Sequence, residues 1–169
     1  MATTTTEVDK LCYVKSHKPF FIAATRRSQT MTAQAPQIPY PARTQSLPSQ
    51  HDFPTTVSRL IETLKSRGLT LFADIDQRAA AESAGTTLRP TRLFLFGNPK
   101  GGTPVMAANP HAAVELPLRA VVWEDERGTT HIDFADVGEV LLQDYELPQS
   151  VVAPLSGVRM LLQGVAGGQ

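Results

Sequence analysis

The 169-residue chain is 41% hydrophobic and 19% charged, which is typical of a globular domain with a core. Sixteen basic side chains balance sixteen acidic ones, but acidic groups outnumber basic ones in residues 51–150, which argues against a nucleic-acid-binding surface there. The single cysteine excludes an intrachain disulfide, and no apolar run approaches the roughly 20 residues of a membrane helix. We therefore expect a cytoplasmic protein without nucleic-acid or membrane partners.

Residues 1–50 predict a disordered or extended leader. They are rich in Thr, Ser, Gln and Pro and lack sustained apolar periodicity. The part that begins at Met31 contains four prolines, which favour extended, unpacked chain. Residues 1–30 are therefore either the product of an over-early start assignment or a genuine tail that docks a partner.

The folded domain is expected over residues 51–150, beginning with an amphipathic helix at 57–67. Thr55 or Thr56 would cap the start of this helix, and Gly68 would end it in the left-handed conformation. The apolar residues that recur at i, i+3, i+4 and i+7 are Val57, Leu60, Ile61 and Leu64.

A strand and a short helix follow, and then a second strand. Apolar and polar residues alternate over 69–75, which is strand periodicity, and Asp76 is placed to cap an Ala-rich helix that Gly85 would close. Residues 92–96 are apolar on both faces except at their start, which predicts a central strand of the sheet.

The end of the domain predicts a hairpin and a closing helix. Residues 119–124 and 129–134 read as strands joined by a short turn that contains Gly128, and a helix would begin at Val137. Residues 151–169 are expected to form a C-terminal tail that frays after Pro154. Together these elements predict one small α+β domain with a mainly antiparallel sheet and helices packed on one face.

The most informative run is residues 96–106, Phe-Gly-Asn-Pro-Lys-Gly-Gly-Thr-Pro-Val-Met. Thr103 would cap a helix that starts at Pro104, so backbone N–H groups and the Lys100 ammonium would meet at an anion pocket. The run is not a P-loop, because Lys does not follow the second glycine of GxxxxG. A purely structural turn is the alternative. The candidate ligand-binding residues are Gly97, Asn98, Lys100, Gly101, Gly102 and Thr103.

Acidic side chains and one histidine near the hairpin form a second group of candidates. The carboxylates lack EF-hand spacing, so we expect neither a metal nor another cofactor. Asp125, Asp133 and His131 are acid or base candidates if the protein is an enzyme, but no GxSxG nucleophile motif accompanies them. Trp123 is expected to fill the core or a subunit contact. The carboxylates are Glu124, Asp125, Glu126, Asp133 and Asp136.

Three blocks of sequence resemble the signature motifs of the domain of unknown function 302 family: LRPT at 88–91, FGNPKGGTPVM at 96–106 and ELPLRAVVWED at 115–125. The resemblance covers about residues 51–145. It implies a small α+β fold, a homodimer and no assigned reaction. The chain departs from the family pattern at Gln77, where a His commonly follows Asp76, and at 134–137, where Phe-Ala-Asp-Val replaces Tyr-Asn-Asp-Pro.

Three functional hypotheses follow. The first is a homodimeric module that binds a small anionic molecule at the Gly97–Pro104 turn. The second is an enzyme that acts on a phosphorylated or carboxylated small molecule, with Lys100 as an electrostatic clamp. The third is a protein-interaction scaffold whose basic leader docks a partner.

Overall fold

The computed structural model describes residues 42–168, in which a five-stranded antiparallel sheet carries helices on one face. The order across the sheet is β1-β5-β4-β3-β2, which confirms that residues 92–96 belong to an interior strand. The predicted α+β class is also confirmed. The strands are β1 (Thr44–Pro48), β2 (Thr70–Asp76), β3 (Thr91–Gly97), β4 (Leu118–Glu124) and β5 (Thr130–Ala135).

Six α-helices lie within the described residues. They are α1 (Phe53–Ser66), α2 (Gln77–Ser83), α3 (Pro99–Ala108), α4 (Val137–Gln143), α5 (Gln149–Val152) and α6 (Val158–Ala166). Single 3₁₀ turns at Pro110–Glu115 and Ala153–Leu155 precede β4 and α6.

Most of the predicted helix boundaries agree with the structure. The Asp76 carboxylate caps α2 by accepting the Ala79 N–H at 2.9 Å, and Gly68 and Gly85 have the positive φ that was expected of them. The start of α1 differs, because Asp52 caps it by accepting the Thr55 N–H at 2.9 Å. The helix therefore begins before Thr55, and the expectation that a threonine caps it is wrong.

Alternate residues of the interior strands form the core. Phe94 and Phe96 of β3, with Val122 of β4 and Ile132 of β5, have no exposed surface and share the helix-covered side of the sheet with Leu60 of α1. Residues in the intervening positions of these strands are half-buried, except that Arg119 is exposed and Gly97 is buried. The position of the core is thus fixed by strand periodicity.

The domain begins earlier than the sequence indicates, because residues 44–48 form an edge strand. Thr44 pairs with Ala135 of β5, and the Gln45 side chain donates to the Asp136 carboxylate at 3.0 Å. The Arg43 guanidinium pairs with Asp144 at the end of α4. Extended chain and an edge strand have the same local backbone, so only pairing with β5 distinguishes them. Residues 1–41 lie outside the described residues, and the prediction for them stays a prediction.

The domain also ends later than expected, because α6 replaces the predicted frayed tail. Leu162 and Val165 are buried, and α6 packs against α1. Arg59 of α1 donates to the Val165 carbonyl at 3.0 Å and to the Gly164 carbonyl at 3.1 Å. These bonds satisfy carbonyl groups that a helix end leaves unpaired. Apolar residues recur at 158, 161, 162 and 165, the i, i+3, i+4, i+7 spacing of an amphipathic helix, which sequence reasoning overlooked. The contacts with α1 decide which element this apolar face packs against.

Candidate functional site

The Gly97–Pro104 run is the end of β3 and the first turns of α3. Asn98 is the N-cap, and its side-chain oxygen accepts the Lys100 N–H at 2.9 Å, while Pro99 is the first helical residue. The prediction that Thr103 caps the helix and Pro104 begins it is therefore wrong. Asn-Pro is as good a helix start as Thr-Pro, and here it comes directly after the strand.

The predicted backbone anion cradle has its donors already engaged. The N–H groups of Gly101 and Gly102 both donate to the Asn98 carbonyl, at 2.9 and 3.0 Å. The Lys100 N–H is bound by the Asn98 side chain. An anion beside this helix start would therefore have to be held by side chains.

The two glycines allow α3 to pack closely against its neighbours. A Cβ atom on Gly101 would lie 3.6 Å from Pro154 Cβ and 3.8 Å from Leu155 Cδ2. A Cβ atom on Gly102 would lie 3.4 Å from Leu116 Cδ1. Both glycines are buried, and a Cβ atom on either would make ordinary van der Waals contact with these side chains.

Lys100 lines a cleft of about 590 Å³ that we call the cationic cleft. Its polar lining comes from Arg67 at the end of α1 and from Asn98 and Lys100 at the start of α3. Within residues 42–168, neither Arg67 nor Lys100 forms an ion pair, whereas Arg92 pairs with Asp74 at 2.5 Å. The remaining lining is largely apolar and comes from β4, the Ala153–Leu155 turn and α6.

A second cleft, of about 520 Å³, lies on another side of the start of α3, and we call it the apolar cleft. Phe72 and Met106 form part of its wall and remain 54% and 37% exposed. Each of the six candidate residues lines at least one cleft. The cationic cleft is lined by Asn98, Lys100 and Gly101, and the apolar cleft is lined by Gly97, Asn98, Gly102 and Thr103.

The acid and base candidates meet at the other end of the sheet. The Asp125 carboxylate accepts the N–H groups of Arg127 and Thr129, both at 2.8 Å, and lies 3.3 Å from His131 Nε2. The Thr129 N–H is the main reason that the pKa of Asp125 lies below its ordinary value. The His131 ring stacks on Trp123 with ring centroids 4.7 Å apart. These contacts give Asp125 a structural role in the hairpin turn.

The structure separates Lys100 from this hairpin cluster. Leu118 pairs with Phe96 at the end of β4 near α3, whereas Glu124 pairs with Thr130 at the opposite end. The two residues are six positions apart along the strand, which spans about 20 Å. A reaction that requires Lys100 together with Asp125 or His131 is therefore not supported by the geometry.

The remaining carboxylates near the hairpin do not converge. Asp133 has one side-chain oxygen that is buried and lacks a hydrogen-bond partner. Asp136 instead caps α4 by accepting the Glu139 N–H at 3.3 Å, next to the buried Val137. No group of three or more metal-ligating side chains comes together in residues 42–168. Residues 134–137, which depart from the family pattern, therefore contribute to the core and to the cap of α4.

Arg67 lines the cationic cleft, and sequence reasoning did not select it. It is one of several charged residues on an amphipathic helix and stands next to the turn at Gly68. Nothing in the spacing between residues 67 and 100 indicates that their side chains line one cleft. Only the packing of α1 beside β2 and α6 brings Arg67 to Lys100.

Comparison with known proteins places the fold and the family. A model of the family described as "Domain of unknown function DUF302" matches residues 45–164. The crystal structure of an uncharacterised conserved DUF302 protein from Bacillus stearothermophilus superposes with a TM-score of 0.62 at 17% identity, covering 75% of this chain and 98% of that one. This likeness supports the fold.

Two curated relatives are proteins named "Fluoride-specific ion channel FluC 1", from Brucella suis biovar 1 and Brucella abortus biovar 1. Each is 38% identical over 88 residues, which is 52% of this chain. The match covers 35% and 33% of their lengths, so the chain spans about a third of these relatives. Within residues 42–168, no helix is long and apolar enough to cross a membrane.

Proposed function

The chain belongs to the DUF302 family, and we propose that it is a small-molecule-binding module that holds an anionic group in the cationic cleft. The observation that carries this proposal is that Arg67 and Lys100 line one cleft without an ion-pair partner among the described residues. Unpaired cations around a concave site attract carboxylates and phosphates. A volume of about 590 Å³ also suits a small organic molecule.

The proposal assigns the binding to side chains. The ammonium of Lys100 and the guanidinium of Arg67 supply charge, and the guanidinium can bind two oxygens at once. The Asn98 side-chain oxygen is used by the Lys100 N–H, which leaves its amide NH₂ as a further donor at the cleft. The backbone N–H groups of Gly101 and Gly102 take no part.

Calorimetric titration with inorganic phosphate and acetate, together with thermal-shift measurements, tests the proposal. We expect a ligand that raises the melting temperature of the wild type and loses at least about tenfold in affinity in Lys100→Ala and in Arg67→Ala. Arg127→Ala is the matched control, since it removes an exposed cation at the opposite end of the sheet. Equal binding in all four proteins would rule out the cationic cleft.

A second candidate function is a module that works beside a fluoride channel. It is favoured by the 38% identity to proteins named fluoride-specific ion channels. The described residues contain no helix able to cross a membrane, so the shared stretch would be a domain attached to the channel and not its pore. This candidate function rests on similarity to the named proteins, and it depends on no residue of either cleft.

Fluoride efflux from vesicles tests the second candidate. The Brucella suis relative would be reconstituted at full length and without the matched stretch, and this chain would then be added to the shortened protein. We expect removal of the stretch to change the efflux rate and added chain to reverse the change. Identical rates in the three preparations would eliminate the candidate.

The homodimer and the partner-docking leader remain predictions. Size-exclusion chromatography with light scattering decides the first, and a monomer at all concentrations would contradict it. Deletion of residues 1–41 tests the second by comparing captured partners with those of the whole chain. The deletion has to stop before Thr44, because β1 is part of the sheet.

A further inference from the structure

The apolar cleft has the character of a binding surface for an apolar group. Among residues 42–168, those that line it include no charged residue, and the polar side chains among them are Asn98 and Thr103. Phe72 is 54% exposed and Met106 is 37% exposed on its wall. Large apolar side chains gathered around a concave surface mark a ligand site more often than isolated ones do.

The two clefts adjoin each other. Asn98, Leu118 and Leu155 line both, so the two clefts lie on either side of these three residues. The cationic end offers Arg67 and Lys100, and the apolar end offers no charge. This pairing of an anion-attracting end with an uncharged end selects a ligand that has the same division.

Backbone features leave space in the apolar cleft. The pairing of β2 with β3 shifts register between Leu71 and Ala73, and Phe72 lies at this bulge. Bulges re-aim side chains at the edges of sheets. Gly97 lies beneath Phe72, since a Cβ atom there would be 3.8 Å from the Phe72 ring. Apart from its chain neighbours, a Cβ atom at 97 would meet only the Phe72 ring within 4 Å.

We infer that the apolar cleft holds the apolar body of the ligand whose anionic group occupies the cationic cleft. The ligand is an amphipathic anion in which one carboxylate or phosphate monoester is joined to an apolar chain or ring. This inference rests on the proposed anion-binding function and adds the chemical class of the ligand. It does not depend on the fluoride-channel candidate.

A series of straight-chain carboxylates from acetate to octanoate tests the inference by calorimetry, below the concentrations at which they self-associate. The affinity of the wild type should rise roughly fourfold for each methylene group that is buried and then level off. Monoalkyl phosphates of equal chain length reveal which anionic group is preferred. Uncharged alcohols of equal length should bind at least about tenfold more weakly than the anions.

Variants separate the two ends of the ligand. Gly97→Val fills the apolar cleft and should flatten the dependence on chain length, while Lys100→Ala should weaken every member of the series. Met106→Ser is a second variant of the apolar wall, at an exposed position that does not threaten the fold. Gly164→Ala is the control glycine change, because its Cβ atom would meet nothing within 4 Å.

The outcomes distinguish the inference from the function on which it rests. If Lys100→Ala weakens anion binding but the affinity does not change with chain length, the inference is wrong and the proposed function stands. If alcohols bind as tightly as carboxylates, the amphipathic anion is likewise wrong. If no anion of either series depends on Lys100, the proposed function itself fails.

Discussion

The charged groups at the two ends of the sheet differ in whether they are bonded to other groups of the protein. At the hairpin end, Asp125 accepts two backbone N–H groups and lies beside His131, which stacks on Trp123. At the α3 end, Lys100 and Arg67 line a cleft and form no ion pair within residues 42–168. Polar groups that satisfy one another stabilise a fold, whereas cations left unpaired in a cleft are available to a ligand.

The difference shows why residue type alone misleads. The hairpin contains the side chains most often used in acid–base chemistry, yet its contacts explain Asp125 as part of a turn. The α3 end looks like a backbone anion site, yet its N–H groups are bound to Asn98. The hydrogen bonds of each region decide which groups remain to bind a ligand.

Removing α6 should have the largest effect, because it abolishes the cationic cleft and uncovers α1. A chain that ends at Ser156 would lose the buried side chains of Leu162 and Val165 and the hydrogen bonds that join Arg59 to α6. We expect this shortened chain to lose cooperative thermal unfolding, which circular dichroism measures. Removal of Gly168 and Gln169 alone is the control. A shortened chain that still unfolds cooperatively would show that α6 is dispensable.

Gly101→Leu should destabilise the α3 end by about 1 to 3 kcal/mol, because the new side chain is forced against Pro154 and Leu155. The matched change Gly164→Leu places the same side chain on an exposed helical glycine and should be neutral or slightly stabilising. Urea denaturation measures both. A Gly101→Leu protein as stable as wild type would mean that α3 does not depend on close packing at Gly101.

Asp125→Asn should destabilise the hairpin end in a pH-dependent way. The folded-state pKa of Asp125 is lowered, so its contribution is present above its unfolded-state value of about 4 and is lost as pH falls through the folded-state value. Wild type and variant should therefore differ in urea midpoint at pH 7, and the difference should be smaller at pH 2. Glu126→Gln in the same turn is the control, since Glu126 is exposed. An equal difference at both pH values would contradict the structural role of the Asp125 carboxylate in the hairpin turn.

Lys100→Ala and Arg67→Ala should have the smallest effect on stability, within about 0.5 kcal/mol, because both side chains are exposed and neither forms an ion pair within residues 42–168. Their effect on ligand binding should nevertheless be the largest of all these changes. Parallel measurement of the urea midpoint and of anion affinity checks both statements. A marked loss of stability would instead indicate that these cations serve the fold.

Sequence reasoning predicted the elements that have strong local signals. The capping carboxylate of Asp76 and the glycines at 68, 85 and 128 adopt the expected geometry. It placed the start of α3 wrongly, because Asn98-Pro99 and Thr103-Pro104 are both good helix starts. The six candidate residues were found from one contiguous run, whereas Arg67, which is distant in sequence, was not.

By itself, the sequence determined the α+β class, the interior position of β3 and the hairpin of β4 and β5, because periodicity and turn residues act over a few neighbouring positions. Only the tertiary structure decided that residues 44–48 form a strand, that α6 packs on α1, and that Arg67 and Lys100 share a cleft. Each of these depends on contacts between residues far apart in the chain, and a local pattern carries no record of such contacts.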